Sequence, residues 1–256
     1  MPRPELHVEE HGDGEPLLLI QGLGQGSWAW RSQVPVFAER FRTIVFDTRG
    51  TGRSPVPAEP YGVADIAEDA ADILDGRPAH VVGFSMGGYV ALTLALEHPE
   101  LVRSLVLAGT GAGGAGRVSR PPHVRDAFRD AFGLPAEEFG RVTMPYTFSP
   151  GWPDASPESF EEILAARLVH PTPNETILTH VDACYAFYAE AREVERIDAR
   201  ALVLHGDADL IVPVENGRML AARLPNATYV ELPGKGHNVM LEDPDTFNRI
   251  VLDFLP

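Results

Sequence analysis

The stretch Gly83-Phe84-Ser85-Met86-Gly87 constrains the fold of this chain more than any other. It follows Ala79-His80-Val81-Val82, a short β-rich run that predicts a strand. It precedes residues 88–96, an apolar run of helix-forming residues. A serine between a strand and a helix sits on a sharp turn with little room beside it, so glycines flank it. The turn lifts the hydroxyl clear of the sheet, and the helix points its first N–H groups at whatever reacts there.

A nucleophilic serine needs a base, and the base needs an orienting acid. The C-terminal third supplies both, in the order Ser, Asp, His. Residues 201–205 read as a buried strand, followed directly by Gly206-Asp207-Ala208-Asp209. A second strand over 227–232 leads into Pro233-Gly234-Lys235-Gly236-His237-Asn238. In a parallel sheet both loops open on the same edge as the serine turn. Ser85 is then the candidate nucleophile, His237 the base and Asp209 the acid that holds the imidazole tautomer. Asp207 competes for the acid's role, although its place at a strand end suits turn hydrogen bonds.

Elsewhere strands and helices alternate. Strands are expected over 6–10, 16–21, 42–46 and 102–107. Helices are expected over 27–40 and 64–74, the second amphipathic with its acids outward. This rhythm implies a mostly parallel sheet with helices on both faces. It breaks at Gly109-Thr110-Gly111-Ala112-Gly113-Gly114-Ala115-Gly116. Helical stretches over 122–132, 136–146, 157–169 and 174–191 follow, with no clear strand among them. The expected organisation is a core of residues 1–114 and 197–256 with an all-helical cap, 115–196, inserted between two strands. The glycine run reads as a flexible entry to the cap. It has neither the lysine nor the spacing of a phosphate loop.

Five segments together resemble the α/β-hydrolase fold family over nearly the whole chain. They are Leu18-Leu19-Ile20-Gln21-Gly22-Leu23-Gly24, Asp47-Thr48-Arg49-Gly50-Thr51-Gly52-Arg53-Ser54, Gly83-Phe84-Ser85-Met86-Gly87-Gly88, Gly206-Asp207-Ala208-Asp209 and Gly236-His237. The chain is most similar to small capped members, namely 3-oxoadipate enol-lactonase-like and polyketide methyl-esterase-like enzymes. The resemblance implies an eight-stranded, mostly parallel sheet and aligns Asp209 with the family acid. It places the oxyanion-hole donors at the backbone N–H groups of Leu23 and Met86. Many relatives carry His-Gly where this chain has Gln21-Gly22; Gln21 reads as a buried, satisfied residue that holds the loop.

At 256 residues the chain can bury one full core with a lid. Its formal net charge of −16 argues against nucleic acid and anionic membrane surfaces as partners. The same charge slows capture of anionic substrates unless the pocket is locally basic. One cysteine, Cys184, allows no intramolecular disulfide and reads as a small buried residue of a cap helix. No apolar leader or bilayer-length run is seen, so the cytoplasm is the expected location, and a homo-oligomer is compatible with the sequence. Without H-x-x-x-H or C-x-x-C pairs, no metal is expected, and no cofactor. His205, within a strand, reads as a core residue or as one supporting the site residues from behind, and His80 as a structural strand residue. His98 reads as a helix-end cation, and His7, His11, His123, His170 and His180 as scattered surface positions. The 47–54 loop reads as a tight turn from which Arg49 pairs with a carboxylate below the site.

The pocket is expected between sheet and cap. Its lining is expected from Leu23, Trp28, Met86, Met144, Tyr146, Phe148, Trp152, Tyr185 and Tyr188. Such an apolar, aromatic wall suits a small to medium, mostly uncharged carboxylic ester or lactone. The expected activity is therefore a cofactor-independent serine esterase or lactonase working through an acyl-enzyme. The same triad supports halide peroxidation by way of a peracid, C–C bond hydrolysis, iminopeptidase chemistry and natural-product cyclase or lyase reactions. A non-catalytic ligand receptor is the reading from outside enzymology.

Overall fold

The computed structural model describes residues 5–256. Among the described residues seven strands form one sheet: β1 (Val8–His11), β2 (Glu15–Ile20), β3 (Phe41–Phe46), β4 (Ala79–Phe84), β5 (Val102–Ala108), β6 (Arg200–Gly206) and β7 (Ala227–Leu232). Their order across the sheet is β1-β3-β2-β4-β5-β6-β7. Only β1 runs antiparallel, pairing Val8 with Phe46 at the edge; every other pair is parallel. The resemblance implied eight strands. Residues 5–7, the only described ones before Val8, are too few for another strand and its turn.

Strand periodicity divides the core. Leu18, Ile20, Val81, Leu105, Leu107 and Val203 face one side, where they pack with the Val63–Leu74 and Met86–Glu97 helices. Leu17, Leu19, Val82, Val106, Leu202 and Leu204 face the other, against Trp30, Phe37, Phe247 and Val251. Successive residues point to opposite faces, and helices cover both, so the strands read as unbroken apolar runs.

Three local expectations are corrected. The helix expected over 27–40 is two short pieces, Ser27–Trp30 and Val34–Phe37. Pro35 has no N–H to donate to the Arg31 carbonyl, so the first piece does not run on into the second. The Gln33 side chain leaves the helix pattern to donate to the Met240 carbonyl and Asn248 Oδ1, both at 3.0 Å. The Val63–Leu74 helix turns one acid inward: buried Asp69 pairs with buried Arg49 at 2.8 Å. Arg49 thus finds its carboxylate on the neighbouring helix. Finally, the start of the glycine run is packed, not loose. Residues 108–112 are buried, and a Cβ on Gly109 (φ +55°) would lie 3.1 Å from His237 Nδ1.

Between β5 and β6 the chain forms helices Pro122–Ala131, Ala136–Thr143, Trp152–Ala155, Pro157–Val169 and Asn174–Ala189. Among the described residues no helix is long and apolar enough to cross a membrane.

Candidate active site

Ser85 joins β4 to the Met86–Glu97 helix with φ +54° and ψ −118°. Few L-residues adopt this backbone, and the flanking glycines make it feasible. A Cβ on Gly87 would strike the Ile20 carbonyl, and one on Gly83 would strike the Gly87 carbonyl. Only bare backbone fits where β4 crosses under the helix. The Ser85 N–H donates to the Ala108 carbonyl (2.9 Å), and Thr110 Oγ1 donates to the Ser85 carbonyl (2.9 Å). The turn is therefore tied to the end of β5.

His237 Nε2 lies 3.0 Å from Ser85 Oγ, and His237 Nδ1 lies 2.7 Å from Asp209 Oδ2. The three residues, distant in sequence, form one continuous hydrogen-bonded chain. Asp209 is fixed by its other oxygen, which accepts from the N–H groups of Ile211 and Val212, both at 2.8 Å. Burial opposes its ionisation. The neighbouring His237 and His205 outweigh that and hold the carboxyl well below the usual range. His205 Nε2 approaches Asp209 Oδ2 at 3.2 Å while lying 2.8 Å from the Val212 carbonyl. Asp209 thus meets two imidazoles. Asp207 is apart from this cluster: its Oδ1 accepts from Gly234 N–H at 2.6 Å, a turn contact.

The loop carrying His237 is held by residues that the sequence did not single out. Glu242 is buried and accepts from Gly236 N–H (3.0 Å), Ser149 N–H (2.9 Å) and Ser149 Oγ (2.7 Å). Asn238 donates from its backbone to the Thr147 carbonyl and from Nδ2 to Thr147 Oγ1, both at 2.8 Å. An acid following Val239-Met240-Leu241 was the available sign that Glu242 is buried with polar partners.

The loop after β2 faces the serine. Gly22 N–H donates to Gln25 Oε1 (3.1 Å), and Gly24 N–H to His180 Nδ1 (3.2 Å). The Leu23 N–H between them has no internal acceptor among the described residues. Met86 opens its helix, so its N–H also lacks a carbonyl one turn earlier. Gln21 is buried, with Nε2 donating to the Phe46 carbonyl at 2.9 Å; its Oε1 has no partner. It is structural but only half satisfied.

His180 is a correction. It is fully buried, not a surface residue. Tyr61 links its Nε2 (3.0 Å) to the Arg49 carbonyl (2.6 Å). Burial lowers the His180 pKa to about 4, so the ring is neutral near pH 7. Because Gly24 donates to Nδ1, the proton sits on Nε2 and is donated to the Tyr61 hydroxyl.

A cavity of about 600 Å³ opens over Ser85 and His237. Of the residues named from sequence, Leu23, Trp28, Met144, Tyr185 and Tyr188 line it. Tyr146, Phe148, Trp152 and Met86 do not. Trp152 stacks on Phe148 with ring centroids 4.4 Å apart, and Phe148 meets Phe160, so these rings form helical core. Tyr146 turns towards His123, and the Met86 side chain is buried in the core that packs with the Val63–Leu74 helix. Cys184 lies in the wall, its thiol pushed up to about 12 by burial. Arginines also line the cavity. Arg117, Arg120, Arg125 and Arg129 fall in one short stretch of an acidic chain, a signal the sequence did carry.

Known families and proteins match this chain over nearly its whole length. Residues 15–145 match a family model described as the alpha/beta hydrolase fold, and residues 174–256 match one described as TAP-like protein. A Caulobacter segnis protein provisionally named carbamate hydrolase RutD is 32% identical over 98% of this chain and 95% of its own. The enol-lactonase of Burkholderia xenovorans LB400 superposes with a TM-score of 0.83 at 27% identity, covering 97% of this chain and 95% of that one. Est816, described as an N-acyl homoserine lactone degrading enzyme, gives a TM-score of 0.81 at 28% identity, covering 98% and 96%. Strand order, serine turn and sequence match agree: the chain belongs to the α/β-hydrolase fold family.

Proposed function

We propose that this protein is a serine hydrolase that cleaves a carboxylic ester or lactone. The observation that carries the reading is the chain Ser85–His237–Asp209, with contacts of 3.0 and 2.7 Å at the floor of a cavity. His237 Nε2 takes the Ser85 proton as Oγ attacks the carbonyl carbon, and the charge of the tetrahedral oxyanion is met by the Leu23 and Met86 N–H groups. Collapse expels the alcohol, which takes the proton from His237, and leaves an acyl-enzyme on Ser85. Water, deprotonated by His237, releases the acid and restores the serine.

A second reading, carbamate cleavage, is favoured by the RutD relative at 32% identity over nearly the whole chain. It uses the same residues on a carbonyl flanked by nitrogen. Turnover of p-nitrophenyl butyrate, a γ-lactone and a phenyl carbamate, with Ser85→Ala alongside, separates the readings. The ester and lactone are expected to turn over faster than the carbamate, and Ser85→Ala to lose at least about a thousandfold. Undiminished turnover in folded Ser85→Ala would overturn the mechanism, and preference for the carbamate would overturn the substrate class.

A further inference from the structure

The cavity wall runs against the charge of the molecule. Acidic residues outnumber lysines and arginines 37 to 21 in the chain. Among the described residues five arginines, Arg117, Arg120, Arg125, Arg129 and Arg167, line the cavity, and no aspartate or glutamate does. Two of the five are neutralised locally: Arg125 pairs with Asp126, and Arg129 with Asp126 and Asp130, all on exposed helix surface. The other three have no carboxylate within ion-pair distance among the described residues, although surface arginines elsewhere commonly have one.

What those three have instead is aromatic surface facing the cavity. The Arg117 guanidinium lies 4.2 Å from the Tyr188 ring centroid, Arg120 lies 5.5 Å from Phe128, and Arg167 lies 5.7 Å from Phe139. A guanidinium packed on a ring keeps its in-plane N–H fork free to meet a carboxylate. Tyr89 and Tyr188, bonded to one another through their hydroxyls, line the same cavity. Burial holds both phenols neutral, so they offer no competing anion. Arg167 is desolvated enough for its pKa to fall to about 10, and it also borders a second hollow of about 410 Å³. Arg167 is half-buried, and a carboxylate in the cavity would supply the counter-ion that it lacks.

We propose that the substrate carries a carboxylate at the end remote from its scissile carbonyl, received by the arginines Arg117, Arg120 and Arg167 of the cavity wall. The arginines give a local basic field inside an acidic molecule, so an anion repelled at long range is held at short range. The aliphatic chain between the two groups lies along Leu23, Ile177 and Val181. This inference rests on the hydrolase reading for the reacting end of the substrate, and on the arginines alone for the remote end.

A matched pair tests it: mono-p-nitrophenyl adipate, which ends in a carboxylate, against p-nitrophenyl hexanoate, which ends in a methyl group. The expected result is at least a tenfold higher kcat/KM for the adipate ester. Arg120→Gln and Arg117→Gln are each expected to cut that ratio about tenfold, mainly through KM for the acid. Equal or inverted preference in the wild type, or equal losses on both esters in the variants, would overturn the proposal. Calorimetric titration with adipic acid monoamide and with hexanamide gives a readout that needs no turnover. Tighter binding of the acid, weakened in Arg120→Gln, supports the carboxylate site even if neither ester is cleaved, which would sink only the hydrolase reading. Indifference to the carboxylate in binding sinks the proposal whatever the turnover.

Discussion

Ser85 holds its place at φ +54°, a backbone region that glycine tolerates better than serine. Replacing it by glycine is expected to raise stability by about 1 kcal/mol while abolishing turnover. Urea denaturation beside an ester assay checks this, and a less stable glycine variant would contradict the strain. The acid is the other decision at this scale. Asp209→Asn removes the acceptor that fixes the His237 tautomer, so a loss of about 10³–10⁴-fold in kcat is expected. Asp207→Asn changes only a turn contact to Gly234 and should stay within about threefold of the wild type. The reverse pattern in the two variants' kcat values would reassign the acid. Ser85, His237 and Asp209 were legible because each sits in a short loop after a strand, where sequence position predicts spatial position. Glu242 and His180 were not, because their partners, Ser149 and Gly24, lie 93 and 156 residues away in the sequence.

At the scale of elements, His180 joins the Asn174–Ala189 helix to the loop after β2 through the Gly24 N–H. His180→Leu leaves that buried amide unpaired, which costs about 1–3 kcal/mol. It should also lower kcat, since Leu23 is the next residue back in the loop. The pH dependence has a definite sign. The folded pKa of about 4 lies below the unfolded value of 6.5, so between these limits the unfolded chain binds more protons. His180 therefore contributes a loss of stability as pH falls from about 6.5 towards 4, and this component should be missing from His180→Leu. Thermal melts across that range check it; identical slopes in the two proteins would contradict the assignment. Strands were well read from β-branched and apolar runs, and the helix over Pro157–Val169 matches its expected limits. The helix expected over 27–40 failed because tertiary bonds from Gln33 and the presence of Pro35 overrode the local helical reading. The glycine run misled for a related reason. Glycine marks close approach of backbone as well as freedom, and only the position of His237 over Gly109 distinguishes them.

At the scale of the molecule, parallel β4, β5, β6 and β7 direct their C-terminal ends to one edge, and the helices between β5 and β6 help roof it. This is why a serine, an acid and a histidine on separate loops meet. Alternation of strand and helix was enough to foresee that edge. The shape of the cavity was not foreseeable, because aromatic residues read equally as lining or as helical core. Trp152 and Phe148 turned out to pack on one another, whereas Tyr185 and Tyr188 reach the cavity. Net charge was the least informative global quantity, since an overall −16 conceals a wall of arginines. The central claim is that Ser85 is activated by His237 in the folded protein. Labelling with a fluorophosphonate probe, followed by peptide mass spectrometry, tests it most directly. The account predicts one modified peptide, carrying the label on Ser85, and no labelling in folded His237→Ala. Absence of label in the folded wild type, or label on another residue, would contradict it.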